Sequence, residues 1–396
     1  MTKTILFLPS NGNHVKIFHP IIDAIKKNYD FLFLTQGTYK DEGAENELNR
    51  LKIPYKTVDA YPKLDPNMIF EQENIGLLIV GNDFDILPQW FINIAKKKRI
   101  PSILIQDGLL LDVIPLNNDV FHQIQFLKTI KSKKLSKLSL KLKLSKQIRK
   151  ISYGQAGCTQ IHVWSDSDKK YLIKKKIPEN SIYVIGNVKS FNPKTISHQT
   201  QNENSFILYA STDLIQTKIL EKKRVIKTVD EICKTITLIP KMKLMIKPHP
   251  IEKKQFYDDF EKNYTPVVKV TYEDVSTLIS KSIFLITNLS AVTFEALFQK
   301  KQVIIYLPEL EKIVKCDSFP FDLIKQGIIL YAKTPKELLE KIQLLRDNSF
   351  NFTSSQIDVI NNYLGQMDNP VSKITQSINE IMMLKDTRQQ REGADL

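Results

Sequence analysis

Two short segments carry the residue types best suited to chemistry. They are Met245-Ile246-Lys247-Pro248-His249-Pro250 and Ile286-Thr287-Asn288-Leu289-Ser290-Ala291-Val292-Thr293-Phe294-Glu295. Each leaves an apolar run that reads as a buried strand and turns polar at its carboxyl end, where an open α/β sheet holds its ligand. Flanking prolines restrict the backbone around His249. Its imidazole could donate to a phosphate oxygen, with Lys247 adding charge. A packed histidine is the plainer reading of the residue alone; its place at a strand end favours binding. Ser290 and Thr293 open the helix that follows, and a helix start attracts phosphate, although Ser290 could simply cap its own helix. Glu295 lies in an otherwise apolar stretch, Ala291–Phe298, where a carboxylate is costly without a partner. Ribose hydroxyls would satisfy it; so would an ion pair with a lysine.

The first half offers a base. Ile103-Leu104-Ile105-Gln106-Asp107-Gly108 reads as a strand, a carboxylate and a glycine. Asp107 at a strand end could take a proton from a substrate hydroxyl, with Gly108 permitting a turn and close approach. A turn aspartate before glycine is an equally good local reading. The second base candidate is His14, beside Gly12 in the loop after the first strand; His19, further along, reads as packing. The sequence has no GxxxxGK[ST], GxGxxG, HExxH or GxSxG pattern, so P-loop, dinucleotide, zincin and hydrolase chemistries lose their usual support. Cys158, Cys233 and Cys316 are scattered and form no Cys/His cluster. No metal site and no cofactor are expected, and a reducing compartment fits.

These residues need elements to place them. Thr4–Leu8, Phe31–Leu34, Leu77–Val80 and Ile103–Ile105 read as strands, with a helix from about His14 to Lys27. A second series follows. Strands are expected at Phe206–Ala210, Leu244–Ile246, Val267–Val270, Ile283–Thr287 and Val303–Tyr306. Helices are expected at Thr217–Thr237, Glu252–Lys262, Val275–Ser280, Ala291–Gln299 and Pro335–Leu345. Such alternation predicts parallel sheets covered by helices, and 396 residues exceed one ordinary core. The expected architecture is α/β, two Rossmann-like domains facing each other across a cleft. Residues 1–187 would form the acceptor side and 188–370 the nucleotide side, joined through an Asn-, Gln-, Ser- and Thr-rich stretch from Gly186 to Asn204. A helix over 371–385 would pack back across the cleft, leaving a disordered tail at 386–396.

The formal net charge is +14, which favours anionic partners. Lys128 to Lys150 carries ten basic residues and no acidic one. Its leucines fit a strand period and a helical face equally well. This arm could lie on anionic lipid or be a solvated loop over the cleft. With no aromatic platform inside it, nucleic acid is not an expected partner. No signal peptide or membrane-spanning stretch is expected, so the protein reads as cytoplasmic, touching a membrane at most from inside.

On these residues the chain resembles the two-domain GT-B-type glycosyltransferases. Within them it resembles the bacterial sialyltransferase, polysialyltransferase and capsule-polymer transferase group and the related CDP-glycerol glycerophosphotransferases. That group carries an acidic-acidic-Gly motif, a His-Pro motif and a Ser-Ser motif. Gln106-Asp107-Gly108 matches the last two positions of the first, His249-Pro250 matches the second, and Ser290-Ala291 keeps one serine of the third. Similarity is strongest over about residues 160 to 310. The resemblance implies transfer of a sugar, a sialic-acid-like unit or a glycerophosphate from a nucleotide-activated donor to a glycan or lipid-linked acceptor. It also implies a metal-independent inverting displacement, with Asp107 as base, His249 and Ser290 on the departing phosphate, and Glu295 on the ribose. A UDP-N-acetylglucosamine 2-epimerase-like enzyme and a non-catalytic nucleotide-sugar-binding scaffold are the alternatives.

Overall fold

In a computed structural model the described residues are 3–37, 43–62, 64–108, 110, 151–188, 206–212, 214–215, 220–249, 252, 255–314, 319–347, 351–365 and 369–394. The basic arm at 128–150 and most of the Asn-rich stretch lie outside them, as do Pro250 and Cys316.

The described residues up to Leu110, from 151 to 188 and from Asn362 onward form one unit; those from 206 to Asn361 form a second. The first is built on seven parallel strands: β1 (Thr4–Leu8), β2 (Asp30–Thr35), β3 (Tyr55–Thr57), β4 (Ile75–Val80), β5 (Ser102–Ile105), β6 (Gln160–Val163) and β7 (Ile182–Val184). Their order is β3-β2-β1-β4-β5-β6-β7. The chain moves outward from β1, then crosses back to lay β4 on β1's other side. The crevice at that reversal is where a parallel sheet receives ligands.

Side chains alternate across β1, as a strand requires. Leu6 and Leu8 join the core under helices Pro66–Gln72 and Ile86–Lys97. Ile5 and Phe7 join the core under the helix Gly12–Ile25. That face is completed by the long helix Pro370–Ala394, which inserts Ile374, Ile378, Ile381 and Met382. Each such side chain, fully buried, contributes about 1.5–3 kcal/mol. The last helix is thus held by the first unit's own core.

The second unit has six parallel strands: β8 (Phe206–Ala210), β9 (Leu244–Lys247), β10 (Val268–Val270), β11 (Ser282–Thr287), β12 (Val303–Tyr306) and β13 (Ile329–Ala332). The order β10-β9-β8-β11-β12-β13 repeats the outward-then-back course, with its reversal between β8 and β11. Most expected strands sit within one or two residues of their sequence positions. The helix expected from Thr217 begins at Lys222, after Glu221 in extended backbone. The one expected from Glu252 begins at Gln255, because Glu252 is engaged elsewhere. Strands β3, β6, β7 and β13 and helix Asp166–Lys174 were not anticipated.

Candidate active site

In the first unit the loops after β1, β4 and β5 meet at the reversal point. Asn11 caps the helix Gly12–Ile25 by accepting the His14 N–H at 3.0 Å. His14 is wholly buried and stacked against Gly81 at the end of β4, where a Cβ would come within 2.5 Å of the imidazole. Its Nδ1 accepts the Ser10 backbone N–H at 2.9 Å. That nitrogen therefore carries the lone pair, and the proton of the neutral ring is on Nε2. Nε2 lies 2.9 Å from Asp107 Oδ2, so it donates to the carboxylate. Asp107 keeps 26% of its side-chain surface exposed and His14 none. Of the two base candidates, which the structure joins directly, Asp107 is the one an incoming hydroxyl can meet.

The turn that carries Asp107 is braced from below. Gln106 is buried; its Oε1 accepts Trp164 N–H at 2.9 Å and its Nε2 donates to the Gly108 carbonyl at 2.9 Å. Among the described residues nothing lies within 4 Å of where a Gly108 Cβ would be. Gly12 differs, since a Cβ there would sit 3.0 Å from the Gly43 carbonyl; its smallness serves packing. Asp83, wholly buried on the β4 loop, accepts the backbone N–H groups of Gly154 and Ala156 at 2.9 Å each. Burial pushes its carboxyl up to about 6 against those bonds.

In the second unit β8 lies between the strands that deliver His249 and Ser290. Ser211, the first residue after β8, accepts the His249 N–H at 2.8 Å and donates to Glu252. Glu252 Oε2 also accepts from His249 N at 3.0 Å and from the Tyr257 hydroxyl at 2.9 Å. A carboxylate three residues after the half-buried histidine thus holds the loop by its backbone. Lys247 Nζ bonds the Pro248 carbonyl at 3.1 Å on the same loop. On the other side of β8, Thr287 Oγ1 donates to the Ala210 carbonyl at 2.8 Å. Asn288 accepts from Tyr209 at 2.9 Å and donates to the Tyr306 carbonyl at 2.8 Å. Burial and the nearby Glu252 charge drive the Tyr209 phenol far above its ordinary range, so it stays a donor.

Ser290 Oγ accepts the Val292 N–H at 3.3 Å, a capping contact for the helix Val292–Phe298. Thr293 is wholly buried and faces the packing side of that helix. Glu295 is half-buried on the next turn. Lys247 and Thr287 pair with Ala210 from either side, so the loops that carry His249 and Ser290 leave the sheet on both flanks of the end of β8, with Thr293 and Glu295 further along on the helix Val292–Phe298. Sequence reading missed Glu252, Ser211, Asn288 and Gly81. The His249-Pro250-Ile251-Glu252 spacing was the available signal for the first; the others become visible only once strand order is known.

The architecture is that of known solved proteins. The chain is similar to MnaA of S. aureus bound to UDP, at 12% identity and TM-score 0.64, covering 97% of this chain and 98% of that one. It is similar to the Methanocaldococcus jannaschii UDP-GlcNAc 2-epimerase in complex with UDP-GlcNAc and UDP, at 14% identity and TM-score 0.61, covering 96% and 99%. It is also similar to a variant of the wall teichoic acid polymerase TagF, at 14% identity and TM-score 0.57, covering 98% and 90%. Two parallel-sheet units of this kind make a GT-B-type fold, the fold these solved proteins share. Residues 189–375 match the family model for CDP-glycerol:poly(glycerophosphate) glycerophosphotransferase. No match was found among curated proteins.

Proposed function

We propose that this protein transfers glycerophosphate from CDP-glycerol to a hydroxyl of a glycan or lipid-linked acceptor, in building a surface polymer. The family match over 189–375 supports the donor. The observation that carries the reaction is the Asp107–His14 pair: a partly exposed carboxylate whose other oxygen is held by a buried imidazole N–H.

In the proposed step the acceptor O–H gives its proton to the partly exposed Asp107 carboxylate. The acceptor oxygen bonds to the donor's glycerol-bearing phosphorus, and the bond from that phosphorus to the CMP oxygen breaks. His14 stabilises the carboxylate in the ground state and fixes its direction. Its Nδ1, committed to Ser10 N–H, takes no proton. His249, held by backbone bonds to Ser211 and Glu252, donates to the departing phosphate with Lys247 adding positive charge. Ser290 and Glu295 hold the nucleotide, Glu295 on the ribose. Rate comes from positioning and from electrostatic stabilisation of the leaving group, the protein's usual levers in phosphoryl transfer. We propose that no metal takes part, so turnover persists in excess EDTA. The basic arm at 128–150 would hold the enzyme to the anionic inner face of the membrane.

The donor is tested by thermal shift with CMP, CDP-glycerol, UDP, UDP-N-acetylglucosamine and a CMP-linked acid sugar. Stabilisation by the cytidine ligands with CDP-glycerol foremost supports the reading. Stabilisation by UDP ligands alone would move the protein towards the epimerases whose fold it shares, and a response to none would leave a non-nucleotide scaffold.

A further inference from the structure

The first acidic position of the family's motif is held here by Gln106, which reads at first as a lost carboxylate. Its surroundings say otherwise. Gln106 is 1% exposed, and its backbone N–H donates to His162 O at 3.0 Å, extending the β5–β6 ladder by one residue. Its carbonyl accepts Trp164 Nε1–H at 3.1 Å. Its side-chain oxygen faces a donor, Trp164 N–H. Its amide nitrogen faces two acceptors: the Gly108 carbonyl at 2.9 Å and the Asp168 carboxylate. That arrangement fixes the amide orientation without ambiguity. Asp168 is partly buried. It accepts the Ser165 hydroxyl at 2.8 Å while its own N–H returns to Ser165 Oγ at 3.1 Å. Gln106 thus ties together the residues on either side of Asp107 and anchors both to a partly buried carboxylate.

We infer that Gln106 and Asp168 are interlocked positioning residues that aim Asp107, and that position 106 must here be a neutral side chain able to donate twice. A glutamate at 106 would set a carboxylate against a carbonyl and a second carboxylate, and a single shared proton could serve only one of those two contacts. Like-charged and unsatisfied buried groups are costly, and the turn would move to relieve them. With glutamate at 106 and asparagine at 168, the asparagine amide can donate to the glutamate and remove one of the two clashes, while the Gly108 carbonyl still faces a carboxylate.

The inference rests on the proposed role of Asp107, so the test carries two readouts. Gln106→Glu, Asp168→Asn and the double variant Gln106→Glu/Asp168→Asn are compared at matched fold by circular dichroism. For transfer from CDP-glycerol, Gln106→Glu is expected to lower kcat about tenfold or more with donor KM nearly unchanged, as a misaimed group does. The double variant, relieved of the carboxylate pair but not of the lost bond to Gly108, is expected to recover part of that loss. Independently of turnover, the downfield proton resonance of His14 Nε2–H, assigned by its loss in His14→Gln, reports the bond to Asp107. It should shift or vanish in Gln106→Glu and return in the double variant. A Gln106→Glu protein with wild-type kcat and an unmoved resonance would overturn the inference, as would a folded double variant no better than the single one. A wild type with no transfer, but with the resonance responding as described, would overturn the proposed reaction and leave the aiming of Asp107 standing.

Discussion

Asp107 meets solvent through a carboxylate whose other oxygen is held by an imidazole with no exposed surface. The proposed division of labour follows from that difference: one residue to meet substrate and the other to position it. Asp107→Asn should cut turnover by roughly 10² to 10⁴, the usual worth of a positioned base, while CDP-glycerol still raises the melting temperature. Retained turnover would remove Asp107 from the chemistry. Gly81 makes the same point through space. Its φ is unremarkable, yet a Cβ would meet the His14 ring at 2.5 Å. Gly81→Ala should therefore displace the imidazole and lower kcat about tenfold or more, which a kinetic comparison with the donor KM will show. On the nucleotide side, Glu252 gathers Ser211, His249 N and Tyr257 on one oxygen. Glu252→Gln should loosen the His249 loop and raise donor KM, by about tenfold for a lost charge-assisted bond, more than it lowers kcat. A variant with unchanged KM would show that the loop holds without it.

At the level of elements, the candidate side chains sit in the loops or first helical turns that follow the carboxyl ends of strands, and those loops are held by bonds to neighbouring segments. Alternation of apolar runs with helical periods made most strands and several helices legible in the sequence. Short strands such as β6 escaped because Gln160-Ile161-His162-Val163 mixes polar and apolar residues that all turn out buried. Its His162 is an example of a polar group committed to a core. It bonds Gln160 Oε1 at 2.9 Å, and burial lowers its imidazole from 6.5 to about 3. The folded pKa lies below the unfolded one, so the unfolded chain gains a proton first as pH falls. Stability is complete above about pH 6.5 and is lost towards pH 3, by up to about 5 kcal/mol. His162→Phe should flatten that part of the stability curve in urea titrations across pH; an unchanged slope would place the acid sensitivity elsewhere. Gly365 shows the cost of close backbone approach, with φ at +71° and a Cβ that would collide with the Trp164 carbonyl. Strain and overlap of that kind have no sequence signature beyond the glycine itself.

For the molecule as a whole, the fold class and the two-series organisation were readable from the alternation of strand and helix signals, and the solved relatives share that fold. The pairing of His14 with Asp107, 93 residues apart, was not readable, because it depends on strand order rather than on spacing. The same holds for Gln106: in sequence it is a departure from a motif, and in the fold it is a brace. The net charge of +14 and the ten basic residues of the 128–150 arm belong to this scale too. Deleting 128–150 should weaken sedimentation with anionic vesicles, an effect that shrinks with salt as surface electrostatics do. Equal binding by the deleted protein would separate the arm from the membrane.

The central claim is met most directly by transfer itself: purified protein, radiolabelled CDP-glycerol and a hydroxyl-terminated lipid-linked acceptor, sampled over a single turnover with EDTA present. The account predicts labelled acceptor and stoichiometric CMP from the wild type, with both suppressed in Asp107→Asn. Label in the acceptor at the wild-type rate from Asp107→Asn, or conversion of UDP-N-acetylglucosamine but no transfer from CDP-glycerol, would contradict it.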